Sequence, residues 1–187
     1  MSDPEFRLLV VCTANRCRSP LAEAIARDRF ATRRWTRSAA ISSGTRAEDG
    51  LPATEGTELT AERLGLDVNA HSSRALTDDV IGWANLVLCM ERRQALHVSS
   101  HFPGPFDITF PLRDFARRAT AAPRKRGECA DHWVARLSTA RAPGDLLGND
   151  HRDDIADPAG KSLRRYWRAA NEIEALIDEV IAAADGG

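Results

Sequence analysis

A short apolar segment that runs through a tight loop into a helix start is the feature that most constrains this chain. Residues 6–11 are mostly apolar and branched, and their number suits a buried strand. Ser19 can cap a helix, Pro20 suits its first turn, and apolar residues then recur at helical spacing. The sequence therefore predicts a strand, a loop at residues 12–18 and a helix in direct succession.

The same alternation continues towards the carboxyl terminus. The predicted elements are strands at 39–42, 86–89 and 106–110, and helices at 53–64, from 91 onwards and at 161–184. Strands that alternate with helices pair in parallel through right-handed crossovers. We therefore predict an α/β fold, a small doubly wound four-stranded parallel sheet of flavodoxin-like topology with helices on both faces. Ligands of such sheets bind beyond the carboxyl ends of the strands, where the loop at 12–18 lies.

Residues 111–156 interrupt the alternation, and we predict a single domain over 1–187 with an atypical insertion there. An extra helix is predicted at 131–141, with Trp133 and Leu137 on one side and loops at 121–127 and 143–154. Residues 111–141 hold eight basic and three acidic side chains, a net +5, although the whole chain carries −1. This segment is either a solvated helix and loop or a lid or docking surface for an acidic partner.

Composition excludes several broad classes of protein. The near-neutral net charge of −1 favours neither nucleic acid nor a membrane as a partner. No apolar run approaches the roughly 20 residues of a membrane helix, and residues 1–5 lack the features of a signal peptide. Four scattered cysteines suit neither a secreted disulfide framework nor a zinc site, since the closest two are five residues apart. We expect a cytoplasmic protein.

The loop at 12–18 has features suited to phosphate chemistry. Successive backbone N–H groups in such a loop can form an anion nest, and the following helix adds its unpaired N–H groups and its dipole. Arg18 can bind two phosphate oxygens with its planar fork. The same positive field favours a thiolate at Cys12, which can attack phosphorus and form a thiophosphoryl intermediate. Ser19 can hydrogen-bond this sulfur and help it leave.

The alternative for Cys12 is an inert cysteine at the end of a buried strand. A cysteine and an arginine that bracket five residues also occur together by chance. The strand before this loop and the Ser-Pro helix start after it favour the phosphate-binding interpretation.

Several segments together resemble the low-molecular-weight protein tyrosine phosphatases. Residues 10–24 resemble the signature loop of that family, and residues 42–45, Ser-Ser-Gly-Thr, resemble its Ser-Ala-Gly-Thr segment. His71 and residues 86–90 also fall in family-like segments. Asp157 and Pro158, ahead of the last helix, match its acid-bearing Asp-Pro. The resemblance covers most of residues 6–110 and 153–184.

The resemblance implies a hydrolase that removes phosphate from a phosphorylated protein or a small phosphorylated substrate. It implies that Cys12 is the nucleophile, that Arg18 binds phosphate and stabilises the transition state, and that Asp157 is the general acid and then the general base. No metal or other cofactor is implied, because the arginine and the loop amides neutralise the charge. Asp150, Asp153 and Asp154 compete with Asp157 for the acid role, and an aspartate before a proline is often only a turn residue.

The resemblance also implies how the loop is built. Asn15 is expected to hold its shape through hydrogen bonds to Ser42 and His71. The phosphate-binding residues are Thr13, Ala14, Asn15, Arg16, Cys17, Arg18 and Ser19.

The sequence departs from tyrosine-specific members of the family around the cleft. Residues 159–160 are Ala-Gly and residues 46–49 are Arg-Ala-Glu-Asp, so the expected aromatic walls are missing unless Tyr166, Trp133 or Trp35 supplies them. The position of Arg16 is often aliphatic in tyrosine phosphatases and threonine in protein-arginine phosphatases. Arg16 either binds a second anionic group or is a solvated surface residue.

Cys17 is either a redox partner of Cys12 or a packing residue of the loop.

Within the phosphatases, phosphoarginine and a small phosphorylated metabolite remain alternatives to phosphotyrosine. A thioredoxin-coupled arsenate reductase shares the loop but needs further cysteines close together. Cys89 and Cys129 could meet only if the insertion folds over the site. A non-catalytic phosphate-binding module is disfavoured, because a nucleophile, an arginine and a candidate acid are all present.

Overall fold

The computed structural model describes residues 6–35, 37–102, 104–147 and 151–185. Its central element is a four-stranded parallel sheet with the strand order β2-β1-β3-β4. The strands are β1 (Phe6–Cys12), β2 (Ser38–Gly44), β3 (Leu86–Cys89) and β4 (Thr109–Pro111). In the register, Val10 lies opposite Ser42 on one side and opposite Leu88 on the other. The predicted fold class and topology are confirmed.

Helices follow the strands and cover both faces of the sheet. They are α1 (Arg18–Thr32), α2 (Glu55–Arg63), α3 (Asp78–Trp83), α4 (Arg92–His101), α5 (Leu112–Ala121), α6 (Ala130–Ser138) and α7 (Leu163–Asp185). Two short 3-10 turns lie at Pro105–Ile108 and Pro143–Leu146. Among the described residues, no helix is both long and apolar enough to cross a membrane.

The alternation of side chains along β1 divides the core into two parts. Leu8 and Val10 are fully buried on one face, with apolar residues of α1, α5 and α7. Leu9 and Val11 are fully buried on the other face, with residues of α3 and α4. A strand that is apolar on both faces is typical of a parallel sheet covered by helices on each side.

The predicted strand at 106–110 is wrong in its first half. Pro105–Ile108 forms a 3-10 turn, and only Thr109–Pro111 pairs with β3. Gly104 has a φ of 80°, a left-handed conformation that glycine adopts at little cost, and Pro105 then suits the start of a turn. The chain therefore curls before it enters the sheet.

Helices α3 and α5 were not predicted, and the other helices differ by a few residues from their predicted limits. The predicted extra helix at 131–141 is α6, which ends at Ser138. Trp133 is fully buried in α6, and its ring lies 6.5 Å from that of Phe6, at the start of β1. The Asn85 side chain, just before β3, donates to Asp131. Helix α6 therefore covers the amino edge of the sheet and is not placed as a lid over residues 12–18.

Candidate active site

The loop between β1 and α1 is held from outside through its carbonyl groups. The carbonyls of Cys12 and Thr13 accept hydrogen bonds from the segment after β2, and that of Arg16 accepts one from the N–H of Thr54, all at 2.8–3.0 Å. Asn15 has a left-handed φ of 54°. Among the described residues, none of the N–H groups of residues 13–17 donates to a protein acceptor. These free donors give the loop the character of an anion-binding nest.

Cys12 lies at the inner end of this loop, as the last residue of β1, and is 3% exposed. The Ser19 hydroxyl, in the first turn of α1, donates a hydrogen bond to the Cys12 sulfur at 3.0 Å. A sulfur with such a donor and with the start of a helix beside it can carry negative charge, attack an electrophile and later leave.

Arg18, the first residue of α1, is fixed from several sides although it is 2% exposed. Its Nη1 atom donates to Glu91 Oε1 at 2.6 Å and to the carbonyl of Ile155 at 2.7 Å. Its Nη2 atom lies 3.0 Å from Asp157 Oδ2. The buried Nε atom has no hydrogen-bond partner among the described residues. The guanidinium is thus held in one place and keeps a donor for an anion.

Glu91 is a residue that the sequence analysis missed. It is the second residue after β3, and its carboxylate accepts from Arg18, Arg93 and Gln94. The Gln94 amide also donates to the Thr13 hydroxyl at 3.1 Å, so this group links the start of α4 to the loop. A polar residue at the carboxyl edge of a predicted parallel sheet is a signal that could have identified Glu91.

Asn15 connects the loop to two neighbouring segments. Its side-chain Nδ2 donates to Ser42 Oγ at 2.8 Å and to Ser19 Oγ at 3.0 Å, and its Oδ1 accepts from the N–H of Arg74 at 2.9 Å. The His71 ring nitrogen Nε2 lies 2.7 Å from the backbone carbonyl oxygen of Asn15. Ser42 is therefore reached by the Asn15 side chain, whereas His71 contacts its backbone. This network fixes a left-handed residue that would otherwise be strained.

Gly44, at the end of β2, allows the loop to approach the sheet closely. A Cβ atom at this position would lie 2.6 Å from the Thr13 carbonyl oxygen and 2.9 Å from the Asn15 nitrogen. Only glycine leaves room for this contact. Two residues earlier in β2, the Ser42 hydroxyl donates to Glu23 Oε2 at 2.6 Å, which extends the buried network into α1.

Of the candidate acids, Asp157 is the described carboxylate that contacts Arg18. Its side chain is 42% exposed, and its Oδ1 accepts from the Ala159 N–H at 3.2 Å. Asp153 instead pairs with Arg117 at 3.1 Å. Asp154 accepts from the N–H of Arg92 at 2.7 Å and contacts His151, while Asp150 lies outside the described residues. A solvent-accessible carboxyl beside a buried arginine can exchange protons with a bound substrate.

The aromatic residues that could have lined the cleft lie elsewhere. The Trp35 ring stacks on Phe30 with 5.6 Å between centroids, and Trp133 is buried at the amino edge of the sheet. The Tyr166 hydroxyl lies 3.2 Å from Thr54 Oγ1, and burial raises the pKa of this phenol. The cleft beside Asp157 is bordered by the exposed residues 159–160 instead.

Arg16 and Cys17, the two loop residues for which the sequence left alternative roles open, contact the segment before α2. Arg16 is half-buried, and its Nε donates to the carbonyl of Pro52 at 2.8 Å. The Cys17 sulfur lies 3.3 Å from Thr54 Oγ1 and 3.8 Å from the Tyr166 hydroxyl. Cys17 therefore has polar partners of its own in this structure.

The cysteine arrangement does not favour an arsenate reductase. Cys89 is fully buried at the end of β3, and burial raises the pKa of its thiol. Cys129 is exposed and precedes α6, which covers the opposite edge of the sheet. The insertion thus does not bring these two thiols together over the loop. All four cysteines are free, and the described residues contain no group of three side chains that could hold a metal ion.

Comparison with known proteins agrees with this geometry. The family model for low molecular weight phosphotyrosine protein phosphatases matches residues 7–125. A protein-arginine-phosphatase from Geobacillus stearothermophilus is 29% identical over 94% of this chain and 93% of its own length. A probable low molecular weight protein-tyrosine-phosphatase from Ralstonia solanacearum is 30% identical over 70% of this chain and 94% of its own length.

Solved structures share the fold along nearly the whole chain. The low molecular weight protein tyrosine phosphatase from T. tengcongensis superposes with a TM-score of 0.73 and 26% identity, over 95% of this chain and 98% of that one. The arginine phosphatase YwlE from Geobacillus stearothermophilus has a TM-score of 0.70 and 27% identity, over 95% and 91%. The chain therefore belongs to the low molecular weight phosphotyrosine protein phosphatase family.

Proposed function

We propose that this protein hydrolyses phosphotyrosine in proteins, without a metal ion, through a phosphocysteine intermediate on Cys12. The observation that supports the proposal is the contact between Asp157 and Arg18, which ends the loop that begins at Cys12. The Cys12 sulfur accepts from Ser19, the buried Arg18 keeps a free donor, and Asp157 lies 3.0 Å from that arginine. We infer that this nucleophile, anion binder and proton donor act on one phosphate group.

In the first step, the Cys12 thiolate attacks phosphorus and the bond to the ester oxygen breaks. Asp157 gives its proton to that oxygen, so a neutral phenol leaves. The phosphate oxygens lie in the nest formed by residues 13–19, and Arg18 and the loop amides stabilise the charge that develops in the transition state. Asn15, Ser42 and His71 act as positioning residues that hold the loop.

In the second step, the Asp157 carboxylate takes a proton from a water molecule, and the resulting hydroxide attacks the phosphocysteine. The sulfur–phosphorus bond breaks, inorganic phosphate forms, and the Cys12 thiolate returns. The hydrogen bond from Ser19, at 3.0 Å, favours this departure because it stabilises the leaving sulfur. One carboxyl serves both steps, since the second reverses the proton transfer of the first.

We also propose that the protein acts in the cytoplasm. Catalysis needs Cys12 as a thiolate, and all four cysteines are free thiols here. The reducing cytoplasm keeps such thiols available.

Phosphoarginine is a second candidate substrate. The open cleft, with small residues at 159–160, and the similarity to a protein-arginine-phosphatase along 94% of the chain favour it. The cationic side chain of Arg16 disfavours it, because a guanidinium substrate would meet a like charge. Relative kcat/KM on peptides that carry phosphotyrosine or phosphoarginine in the same sequence separates the two.

The chemistry itself is tested with para-nitrophenyl phosphate in the presence of a chelator. We expect hydrolysis by the wild type and none by Cys12→Ser. Asp157→Asn should slow substrates with poor leaving groups most, because these depend on the proton. If Asp154→Asn has this effect and Asp157→Asn does not, the acid is misassigned. A chelator-resistant activity that survives in Cys12→Ser would contradict the proposal.

A further inference from the structure

A second cleft adjoins the active site on the far side of Asp157. It has a volume of about 520 Å³ and lies between residues 154–161, the start of α5 and the first turns of α7. Asp157 lines this cleft and also contacts Arg18 of the site already described. Three of its side chains are cations from one stretch of the chain: Lys161, Arg165 and Arg168.

The carboxylates in this cleft already have partners. Glu172 forms an ion pair with Arg113 at 2.5 Å. Asp154 accepts from a backbone N–H and contacts His151, and Asp157 lies 3.0 Å from Arg18. These carboxylates therefore contact groups other than Lys161, Arg165 and Arg168.

Lys161, just before α7, and Arg165 and Arg168, within α7, form no ion pair with a described residue. Lys161, Arg165 and Arg168 are exposed, and no carboxylate of a described residue lies within ion-pair distance of any of them. Arg165 and Arg168 are three residues apart in α7, so their guanidinium groups lie on the same side of the helix. The lining of the cleft holds four basic side chains and three acidic ones, a net charge of +1, and three of the cations form no ion pair with a described residue, so the cleft can attract an anion.

Because Asp157 lines the cleft and also contacts Arg18, we expect one extended polypeptide to reach both sites. An extended chain spans about 3.3–3.6 Å per residue, so a side chain two or three residues from a phosphorylated residue lies about 7–11 Å away. Asp157 separates the two sites and contacts Arg18 on one side. A peptide that places its phosphate in the loop can therefore extend past Asp157 into the cleft.

We propose that this cleft is a specificity subsite that binds an acidic side chain, aspartate or glutamate, near the phosphorylated residue of a protein substrate. The proposal rests on the function proposed above. Arg165 is its central residue, because it lies between Lys161 and Arg168 in the sequence and lines the cleft with both. The subsite touches no reacting atom, so it acts on binding and lowers KM more than it changes kcat.

Two phosphotyrosine peptides test this subsite. One carries aspartate, and the other asparagine, at two and three residues on each side of the phosphotyrosine. The quantity measured is the ratio of their kcat/KM values at low ionic strength. This ratio cancels changes common to both peptides, such as a loss of folded enzyme.

The wild type should prefer the aspartate peptide by about fivefold, a size typical of exposed charge pairs, and salt should reduce this ratio. Arg165→Glu should abolish the preference. Arg164→Glu is the matched control. It changes the charge by the same amount one residue away, but Arg164 lines a different depression, beside Trp167. This variant should keep the preference for the aspartate peptide.

A preference that survives in Arg165→Glu overturns the subsite, and so does a preference lost equally in both variants, which indicates only general attraction by net charge. A wild type that hydrolyses both peptides equally also overturns it but leaves the proposed function intact. A wild type that hydrolyses neither peptide contradicts the proposed function as well.

Discussion

The buried contact between Arg18 and Glu91 predicts that the active site depends on a residue outside the phosphate loop. The two groups lie 2.6 Å apart, and their side chains are 2% and 11% exposed. Glu91→Gln keeps the size of the side chain and one acceptor oxygen but removes the negative charge. Among the described residues, the buried guanidinium then keeps Asp157 as its carboxylate partner, together with the Ile155 carbonyl and the neutral amide oxygen of the glutamine.

The size of the effect follows from the burial of the pair. Removing one partner of a buried ion pair costs about 3–5 kcal/mol, because the other charge stays behind in a poorly solvated place. Glutamine retains a hydrogen bond worth about 1 kcal/mol, and Asp157 remains near Arg18. We therefore expect a loss of about 2 kcal/mol in transition-state stabilisation, which is about 30-fold in kcat/KM.

The assay is steady-state hydrolysis of para-nitrophenyl phosphate, with thermal unfolding to verify that the variant is folded. Because Glu91 positions Arg18 and does not touch the substrate, the pH dependence of kcat/KM should keep its shape while its height falls. Glu174→Gln is the matched control, since Glu174 pairs with Arg29 at 2.7 Å on the α1–α7 surface. The reasoning is refuted if Glu91→Gln stays within about threefold of the wild type, or if the control loses as much.

Three further predictions concern stability and accessibility. Gly44→Ala should lower the free energy of unfolding by about 1–3 kcal/mol in urea titrations and reduce activity, because its Cβ would lie 2.6 Å from the Thr13 carbonyl oxygen; an unaffected variant would contradict the close approach. Arg136 lowers the pKa of Glu128 from 4.5 to about 2, so this partly buried pair stabilises the fold above pH 4.5 and the contribution disappears as the pH falls through 2. Glu128→Gln should therefore cost about 1 kcal/mol or less at pH 7 and less than that at pH 2, and an equal loss at both pH values would contradict this assignment. Cys89 should resist iodoacetamide at neutral pH until the protein is denatured, because burial raises the pKa of its thiol; labelling in the folded protein, read by peptide mass spectrometry, would count against its placement.

The parts of the fold that the sequence predicted are those encoded by local patterns. Residues 86–89 form β3 with the predicted limits, and they lie within an uninterrupted apolar run, residues 86–90, between Asn85 and Glu91. Helix α5 has apolar residues at helical spacing, Leu112, Phe115, Ala116 and Ala119, but the two alanines make this a weak apolar signal among the intervening arginines. The turn at Pro105–Ile108 depends on Gly104, whose backbone conformation an apolar pattern does not reveal.

In the candidate site too, the residues that are close in the sequence were predicted, and a residue brought there only by packing was not. Cys12, Arg18 and Ser19 lie within one short loop, so their proximity follows from the sequence itself. Glu91 reaches Arg18 across 73 positions of the chain, and only the packing of α4 against the loop brings them together. Asp157 needed the family resemblance, because several nearby aspartates were equally plausible from composition alone.

The central claim is that Cys12 carries the phosphoryl group during turnover. Its most direct test is peptide mass spectrometry on Asp157→Asn enzyme quenched in acid during hydrolysis of para-nitrophenyl phosphate. This substrate needs little help from an acid, whereas the second step loses its base, so the intermediate should accumulate. We predict one phosphoryl group on the peptide that contains Cys12. A phosphoryl group on another residue would contradict the mechanism. Turnover without a detectable covalent intermediate, together with activity in the Cys12→Ser variant, would contradict it as well.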